Sequence, residues 1–316
     1  MTATTVDRGA LRGERMRLRI RDARGFARRY LARTDGVVGV VILLVFATLA
    51  IAPELFVGRL ENVTTASSTA LAHPSPAHIF GADELGRDML NLTVHGARVS
   101  MFIGLLATVI TVVLGVAIGI ASGYIGGWVD NTLMRITDFF LVLPTFVLAV
   151  ILAPLILELV GDQAELFGIK ATLIVIVVVI GITSWATTAR IIRSQTLSVK
   201  GRMFVDRARV IGGGSGHIMW RHILPNVMNL IVANAVLTFA GAVFTETTLS
   251  FIGLGDPFQP SWGQILFAAE GSGAPGLGAW WYIAPPATAV VLVILSFTLV
   301  GNALDEMLNP RSRVRR

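Results

Sequence analysis

Long apolar stretches alternate with polar segments along almost the whole chain of 316 residues. A helix that crosses a hydrocarbon core of about 30 Å needs about 20 residues. Six stretches meet this length: Gly36 to Leu55, Val99 to Gly123, Ile136 to Leu159, Ala171 to Ala189, Val227 to Ser250 and Ile283 to Ala303. The pattern therefore predicts an all-α polytopic membrane protein with six transmembrane helices. Inside it, Gly115 and Gly119 match the small-residue spacing of closely packed helices, which we expect to pack within one bundle.

Composition agrees with this class, because 54% of the residues are hydrophobic and only 15% are charged, against about 25% in soluble domains. The chain contains no cysteine, which excludes disulfides, thiolate metal sites and a cysteine nucleophile. The formal net charge of +6 is compatible with nucleic acid binding. However, nearly all the charges flank apolar spans, so we expect a membrane lipid environment and no nucleic acid partner.

Basic residues are distributed unequally between the two sides of the predicted bundle. If the N-terminus is cytoplasmic, all of the 26 lysines and arginines lie inside except Arg59, Arg87, Arg98 and Lys170. Because basic residues resist translocation, this bias predicts that both termini are cytoplasmic. We therefore divide the chain into a basic N-terminal segment (1–35), a transmembrane domain (36–310) and a basic tail (311–316).

The fourth and fifth spans are separated by a polar, arginine-rich segment from Phe204 to Asn226. A helix is predicted over Lys200 to Ile211, since the glycines at 212–214 are favourable at a helix end and unfavourable within one. A second short helix is predicted over His217 to His222, with Pro225 at the mouth of the fifth span. The alternative interpretation is a solvated basic loop that only obeys the positive-inside rule.

The residue order of this segment, Asp206-Arg207-Ala208, then Gly212, then His222-Ile223-Leu224-Pro225-Asn226, resembles the EAA loop of ABC importer permeases. We call residues 200–226 the EAA segment. The resemblance implies that it forms coupling helices that dock on an ATP-hydrolysing subunit. The residues assigned to this contact are Asp206, Arg207, Ala208, Gly212, His222, Ile223, Leu224 and Pro225. Asp206 stands where that family usually has Glu, and Arg207 where it usually has Ala.

Three further segments resemble the dipeptide and oligopeptide branch of these permeases: GADELGRDML with GARVS, ETTLSFIGLG with PSWGQ, and GNALDEMLNPR. The basic N-terminal extension is similar to that of the C-type member of the permease pair. The resemblance implies the type I importer fold in the bacterial inner membrane. It also implies a homologous B-type permease, two ABC ATPase subunits, an extracytoplasmic substrate-binding protein and a peptide substrate. Nickel, haem and other small solutes are alternative cargoes. The chain itself is expected to hold no cofactor and to perform no catalysis, with ATP and Mg bound by the ATPases.

Several single residues carry an open alternative. Glu246 is an ionisable group in the fifth span, which predicts either a gate or pathway role or a structural hydrogen bond to the returning loop. The glycines at 212–216 are not followed by Lys-Ser/Thr, so an ATP-binding loop is not expected. His73 and His78 are interpreted as loop residues, Asp83 as a helix cap, and Trp262, Trp280 and Trp281 as anchors at the membrane interface.

Three other functional classes compete with an ABC permease. An ion-coupled secondary transporter normally carries several ionisable groups near the middle of its spans, whereas these spans are almost free of charge. An intramembrane enzyme needs a catalytic pair or metal motif at membrane depth, and the spans contain no HExxH. A receptor or channel fits the hydropathy but leaves the order of residues in the EAA segment unexplained.

Overall fold

The computed structural model describes residues 21, 25, 28–161, 164–166 and 169–308, and these residues are mostly helical. The helices are α1 (Thr34–Ile51), α2 (Glu54–Val57), α3 (Met89–Ile125), α4 (Gly127–Val142), α5 (Thr145–Val160), α6 (Ala171–Lys200), α7 (Met203–Val210), α8 (Ser215–Ile218), α9 (Leu224–Leu249), α10 (Trp262–Gly271) and α11 (Trp280–Leu308). Two π-helical turns, Met219–Ile223 and Ser250–Leu254, flank α9. A small antiparallel hairpin of β1 (Glu165–Leu166) and β2 (Ile169–Lys170) precedes α6.

The predicted helical membrane bundle is confirmed. Within the described ranges, α1, α3, α6, α9 and α11 are each long and apolar enough to cross a membrane. The predicted third span differs from the observed structure, because α4 and α5 meet at an angle of 91° and form a sixth crossing only if the bent pair counts as one span. α3 extends well beyond its apolar stretch and begins ten residues before the expected Val99, whereas α1 ends at Ile51, before the expected Leu55.

The bend between α4 and α5 lies at Leu143 and Pro144. A residue before proline is disfavoured in the helical region, and Leu143 adopts an extended conformation with φ −76° and ψ 130°. Pro144 is the N-cap residue of α5. Pro154, by contrast, lies inside α5 without ending it. The bend therefore has an identifiable local cause.

The centre of the bundle is the parallel pair of α3 and α6. Gly115, Gly119 and Gly123 lie on one face of α3, and a Cβ atom at these positions would come within 2.6 to 2.8 Å of Thr188, Ala189 and Thr196 on α6. Absence of side chains at the three glycines thus lets the two backbones approach closely. The prediction that Gly115 and Gly119 pack within the bundle is confirmed.

The remaining crossing helices surround this pair. α9 packs on α3 where Gly104 faces Val243, and α11 packs on α9 where the rings of Phe239 and Phe297 stack at 4.0 Å. Gly39 of α1 faces the backbone of α11. The polypeptide therefore alternates between two ends of the bundle, which we call the loop face (residues 58–88 and 255–279) and the EAA face (the EAA segment).

Two ion pairs hold α4 against α6 near the EAA face. The Arg193 guanidinium donates through Nε and Nη2 to both carboxylate oxygens of Asp130, at 2.6 and 2.7 Å. The hydroxyl of Ser122 at the end of α3 also donates to Asp130. Further along α4, Arg190 donates to Asp138 at 2.6 Å. The first pair therefore joins three helices, whereas the second joins two.

The loop face folds back over the bundle, and this overturns the prediction of interfacial anchors for Trp262 and Trp281 but not for Trp280. Trp262 is fully buried, and its indole N–H donates to the carbonyl of Thr93 at 2.9 Å. Trp281 is also buried and donates to the carbonyl of Ala82. Trp280 alone of the three is exposed. A buried indole needs a partner for its N–H, and the returning loops supply that partner.

The predicted cap at Asp83 is also wrong. The side chain of Asp88 caps α3 by accepting from the backbone N–H of Asn91 at 2.9 Å. Asp83 is buried in the preceding turn, where it accepts from the backbone of Leu85 and Arg87 and pairs with the Arg87 guanidinium at 2.7 Å. His78 contacts Asp88, and the ring of His73 lies 4.3 Å from that of Trp281 at an angle of 46°, so both histidines have structural partners on the loop face.

Candidate functional site: the EAA segment

The first half of the EAA segment is a short helix with a well-formed end. α7 runs over Met203–Val210, slightly shorter than the predicted helix. Beyond it, Gly212 adopts φ +86°, a conformation that side chains rarely allow. The N–H of Gly213 donates to the carbonyl of Ala208 at 2.9 Å, and the N–H of Gly212 to that of Arg209 at 2.9 Å. This is the Schellman pattern, so the predicted glycine stop is confirmed at Gly212.

The second half joins the fifth crossing without a break. α8 covers Ser215–Ile218 and continues through the π-helical turn Met219–Ile223 into α9. Pro225 lies in the first turn of α9 and has no N–H to donate back to Arg221. The widened turn precedes this missing bond, as π-helical turns often do at functional sites. The predicted separate helix over His217 to His222 is therefore a continuation of α9.

One side of the segment is anchored in the bundle. Val205, Ala208, Ile218 and Ile223 are buried. They form one apolar cluster with side chains from α3, α6 and α9, namely Ile120, Tyr124, Ile192, Val199, Val227 and Ile231. The buried positions come from both halves of the segment, so α7 and α8 are held as one unit against the three crossing helices.

The exposed part of the segment carries four large apolar side chains among its charged ones. Met203, Val210, Ile211 and Trp220 are 75%, 87%, 85% and 74% exposed. Exposed apolar residues are unremarkable when they are isolated, but here they occur within one short polar segment. The segment thus combines an anchored inner side with an outer side suited to contact another protein.

The structure divides the predicted coupling residues between these two sides. Ala208 and Ile223 are buried, and His222 and Leu224 are partly buried, so they anchor the segment. Asp206, Arg207, Gly212 and Pro225 are exposed. The rings of His217 and His222 lie 5.7 Å apart across the turn. The contact of the eight assigned coupling residues with an ATPase stays a prediction.

Glu246 lies far from the EAA segment, near the loop end of α9, and is fully buried. The Ser250 hydroxyl donates to its Oε1 at 2.9 Å, and the Thr247 hydroxyl contacts Oε2 at 3.4 Å. The hydroxyls of Ser100 and Ser261 complete its hydrogen-bonding surroundings. The carboxyl group therefore connects α3, α9 and the turn before α10.

Sequence reasoning missed a group of residues behind α7. Tyr124 lies at the end of α3, with the Arg209 guanidinium carbon 5.3 Å and the Lys200 ammonium 5.8 Å from its ring centroid. Arg209 also donates to Asp206 at 3.2 Å. The spacing of Asp206 and Arg209 on a predicted helix was a usable signal for their pairing. Nothing in the local sequence indicates that Tyr124, more than 70 residues away, lies beside this pair.

These features define a multi-pass membrane protein with an anchored surface segment between its fourth and fifth crossings. Residues 115–314 match the family described as binding-protein-dependent transport system inner membrane component. The chain belongs to this family and is a multi-pass protein of the inner membrane. Members of the family are permease subunits that act within transport complexes.

Relatives in Bacillus subtilis extend the similarity over most of the chain. The chain is 32% identical to the oligopeptide transport system permease protein OppC over 287 residues, which cover 90% of this chain and 88% of OppC. It is 33% identical to the dipeptide transport system permease protein DppC over 275 residues, covering 86% and 80% of the two chains. The resemblance found in the sequence is thereby confirmed.

Proposed function

We propose that this chain is one of two homologous permease subunits of an ATP-driven importer of dipeptides or oligopeptides, and that its EAA segment couples it to the ATPase subunits. The observation that carries the coupling role is the two-sided geometry of α7 and α8, which are anchored in the bundle on one side and expose large apolar side chains on the other. The names of the related OppC and DppC support a peptide cargo. Nickel, haem or another small solute remains the alternative cargo.

In this proposal the chain performs no covalent chemistry. ATP and Mg are bound by two partner ATPases, and a binding protein outside the membrane delivers the substrate. The EAA face and both termini are cytoplasmic, which the distribution of arginine supports. A B-type permease completes the pathway.

ATP binding draws the two ATPases together and displaces the EAA segment. Because close packing makes α3 and α6 a stiff pair, a displacement at the EAA face moves them as one body and does not deform them. The bundle thus has two arrangements, inward and outward open, whose populations the partners bias through their different affinities for each.

The test is uptake by the complete complex of permease pair, ATPases and binding protein in proteoliposomes. Wild type is expected to accumulate a labelled dipeptide or oligopeptide when ATP is supplied. The Ile211→Asp variant places a charge on the outer side of the EAA segment, where burial against a partner is costly. It should assemble in the membrane but lose at least about ten-fold of both uptake and substrate-stimulated ATP hydrolysis.

Leu55→Asp is the matched control, because Leu55 is equally exposed but lies near the loop face. It should leave stimulated ATP hydrolysis at the wild-type rate. Full activity of Ile211→Asp would refute the coupling role. Uptake of nickel or haem, with no competition by peptides, would refute the peptide cargo while leaving the coupling role intact.

A further inference from the structure

The end of α3 contacts the EAA segment through an aromatic ring that lies near two cations. Tyr124 is the last residue but one of α3 and is buried. Lys200, the last residue of α6, and Arg209 of α7 both lie within 6 Å of its ring centroid. A cation at this distance is attracted by the ring quadrupole. The ring of Tyr124 therefore joins three helices at one point.

Apolar packing surrounds the same ring. Tyr124 belongs to the cluster that contains Val205 and Ala208 of α7 and Val199 of α6. Apolar contact is strong but non-directional, so it specifies the position of α7 on its neighbours less sharply than a contact between a charge and a ring. The cation contacts are directional, because the guanidinium and the ammonium must lie close to the ring. The Arg209 contact therefore favours one position of α7 along the end of α3, and the Lys200 contact joins the same ring to α6.

Asp206 orients the cation that lies on α7. Its Oδ1 accepts from Nη1 of Arg209 at 3.2 Å, one helical turn away. Both side chains are about half exposed, so this ion pair itself contributes little to stability. Its effect is positional, because it restricts the rotamers of a long, flexible arginine and keeps the guanidinium near Tyr124.

We infer that Tyr124, Arg209 and Asp206 form a joint that transmits displacement of α7 to α3, with Tyr124 as the receiving residue and Asp206 as a positioning residue that acts through Arg209. This inference rests on the coupling role proposed above. It assigns to the acidic position of the EAA segment a task inside this chain, in addition to any contact with a partner. Lys200, at the end of α6, is expected to keep its position relative to Tyr124, since α6 packs tightly on α3.

The test compares ring and charge variants in the reconstituted complex by measuring molecules of peptide imported per ATP hydrolysed. Tyr124→Phe and Arg209→Lys retain a ring and a cation, and should stay within about two-fold of wild type. Tyr124→Leu and Arg209→Gln retain bulk without the ring or the charge. Both should lower the ratio by about three- to ten-fold while basal ATP hydrolysis continues. If the residue only filled space, Tyr124→Leu and Tyr124→Phe would change the transport ratio alike. A lower ratio in Tyr124→Leu with a normal ratio in Tyr124→Phe therefore indicates a role for the aromatic ring.

The role of Asp206 is tested by a double-mutant cycle. Asp206→Asn should lower the ratio in the wild-type background and have no further effect when Arg209 is already Gln. Arg202→Gln removes a neighbouring charge at the start of α7 and serves as the control, with the wild-type ratio expected. Additive losses for Asp206→Asn and Arg209→Gln would overturn the positioning role.

Two failures are distinguishable. If Ile211→Asp uncouples the complex but Tyr124→Leu and Arg209→Gln keep the wild-type ratio, the joint is wrong and the coupling role stands. If all three variants transport normally, the coupling role itself is wrong. Should Tyr124→Leu not assemble, the Arg209 pair of variants alone decides, since that side chain is partly exposed and is not required for the apolar cluster.

Discussion

At the scale of single residues, Glu246 shows how a buried carboxyl group is accommodated in a crossing helix. Its two oxygens face hydroxyl groups from α3, α9 and the turn before α10. A buried polar group is tolerated when its hydrogen bonds are made, and these partners make them. Between the two interpretations of Glu246, this arrangement supports the structural hydrogen bond to the returning loop.

We predict that Glu246→Ala lowers the free energy of unfolding by roughly 2 to 4 kcal/mol, because it leaves several buried hydroxyls without an acceptor. Glu246→Gln keeps one acceptor and the shape, and should lose roughly 1 kcal/mol or less. Thermal unfolding of the detergent-solubilised complex measures both. A Glu246→Gln complex with normal stability but abolished uptake would instead support a gate.

At the scale of elements, the bent pair of α4 and α5 depends on its attachment to α6. Asp130 is only 20% exposed and has partners from two helices, whereas the side chains of Asp138 and Arg190 are more than half exposed. Removing one partner of a largely buried charge pair is costly, but exposed pairs contribute about 0 to 1 kcal/mol. The two ion pairs are thus unequal despite similar distances.

Asp130→Asn is therefore expected to destabilise the protein by about 1 to 3 kcal/mol, and Asp138→Asn by less than about 0.5 kcal/mol. Denaturation of both variants under identical detergent conditions checks the difference. Reversing the pair, with Asp130→Arg and Arg193→Asp together, should recover part of the loss. Equal effects of the two single variants would contradict the ranking.

Hydropathy was sufficient to locate the crossing helices, because a bilayer-length apolar run leaves few alternatives. It was not sufficient to distinguish Pro144, which ends a helix, from Pro154, which does not, since the difference depends on what packs around each proline.

Trp262 and Trp281 were misplaced for a similar reason. A tryptophan near a span end is compatible with the interface or with the core, and only the fold of the loop face decides. In the EAA segment, periodicity and glycine chemistry predicted α7, but the contact with Tyr124 is a tertiary one.

At the scale of the whole molecule, the two faces of the bundle are expected to lie on opposite sides of the membrane. The absence of cysteine allows a single introduced thiol to report its side without background labelling. Ser215 is exposed on the EAA face, and Ser67 is exposed on the loop face. Both positions are exposed in the isolated chain, so a difference in their labelling shows on which side of the membrane each one lies.

Ser215→Cys should react with a membrane-impermeant maleimide only in inside-out vesicles, and Ser67→Cys only in right-side-out vesicles or spheroplasts, if the EAA face is cytoplasmic. Labelling is quantified by the mass of the purified chain. The opposite pattern would invert the proposed topology, and labelling of both positions from one side would contradict a crossing bundle.

α3 contains 37 residues, and at 1.5 Å per residue it is about 55 Å long, well beyond a hydrocarbon core of about 30 Å. One uninterrupted helix thus runs from the Asp88 cap on the loop face to Ile125, next to Tyr124, on the EAA face. A ligand that binds at one end of α3 and favours one tilt of this helix also favours the binding, at the other end, of any ligand that prefers the same tilt. In the proposed complex, thermodynamic reciprocity requires that ATP changes the affinity for the binding protein by the same factor by which the binding protein changes the affinity for ATP.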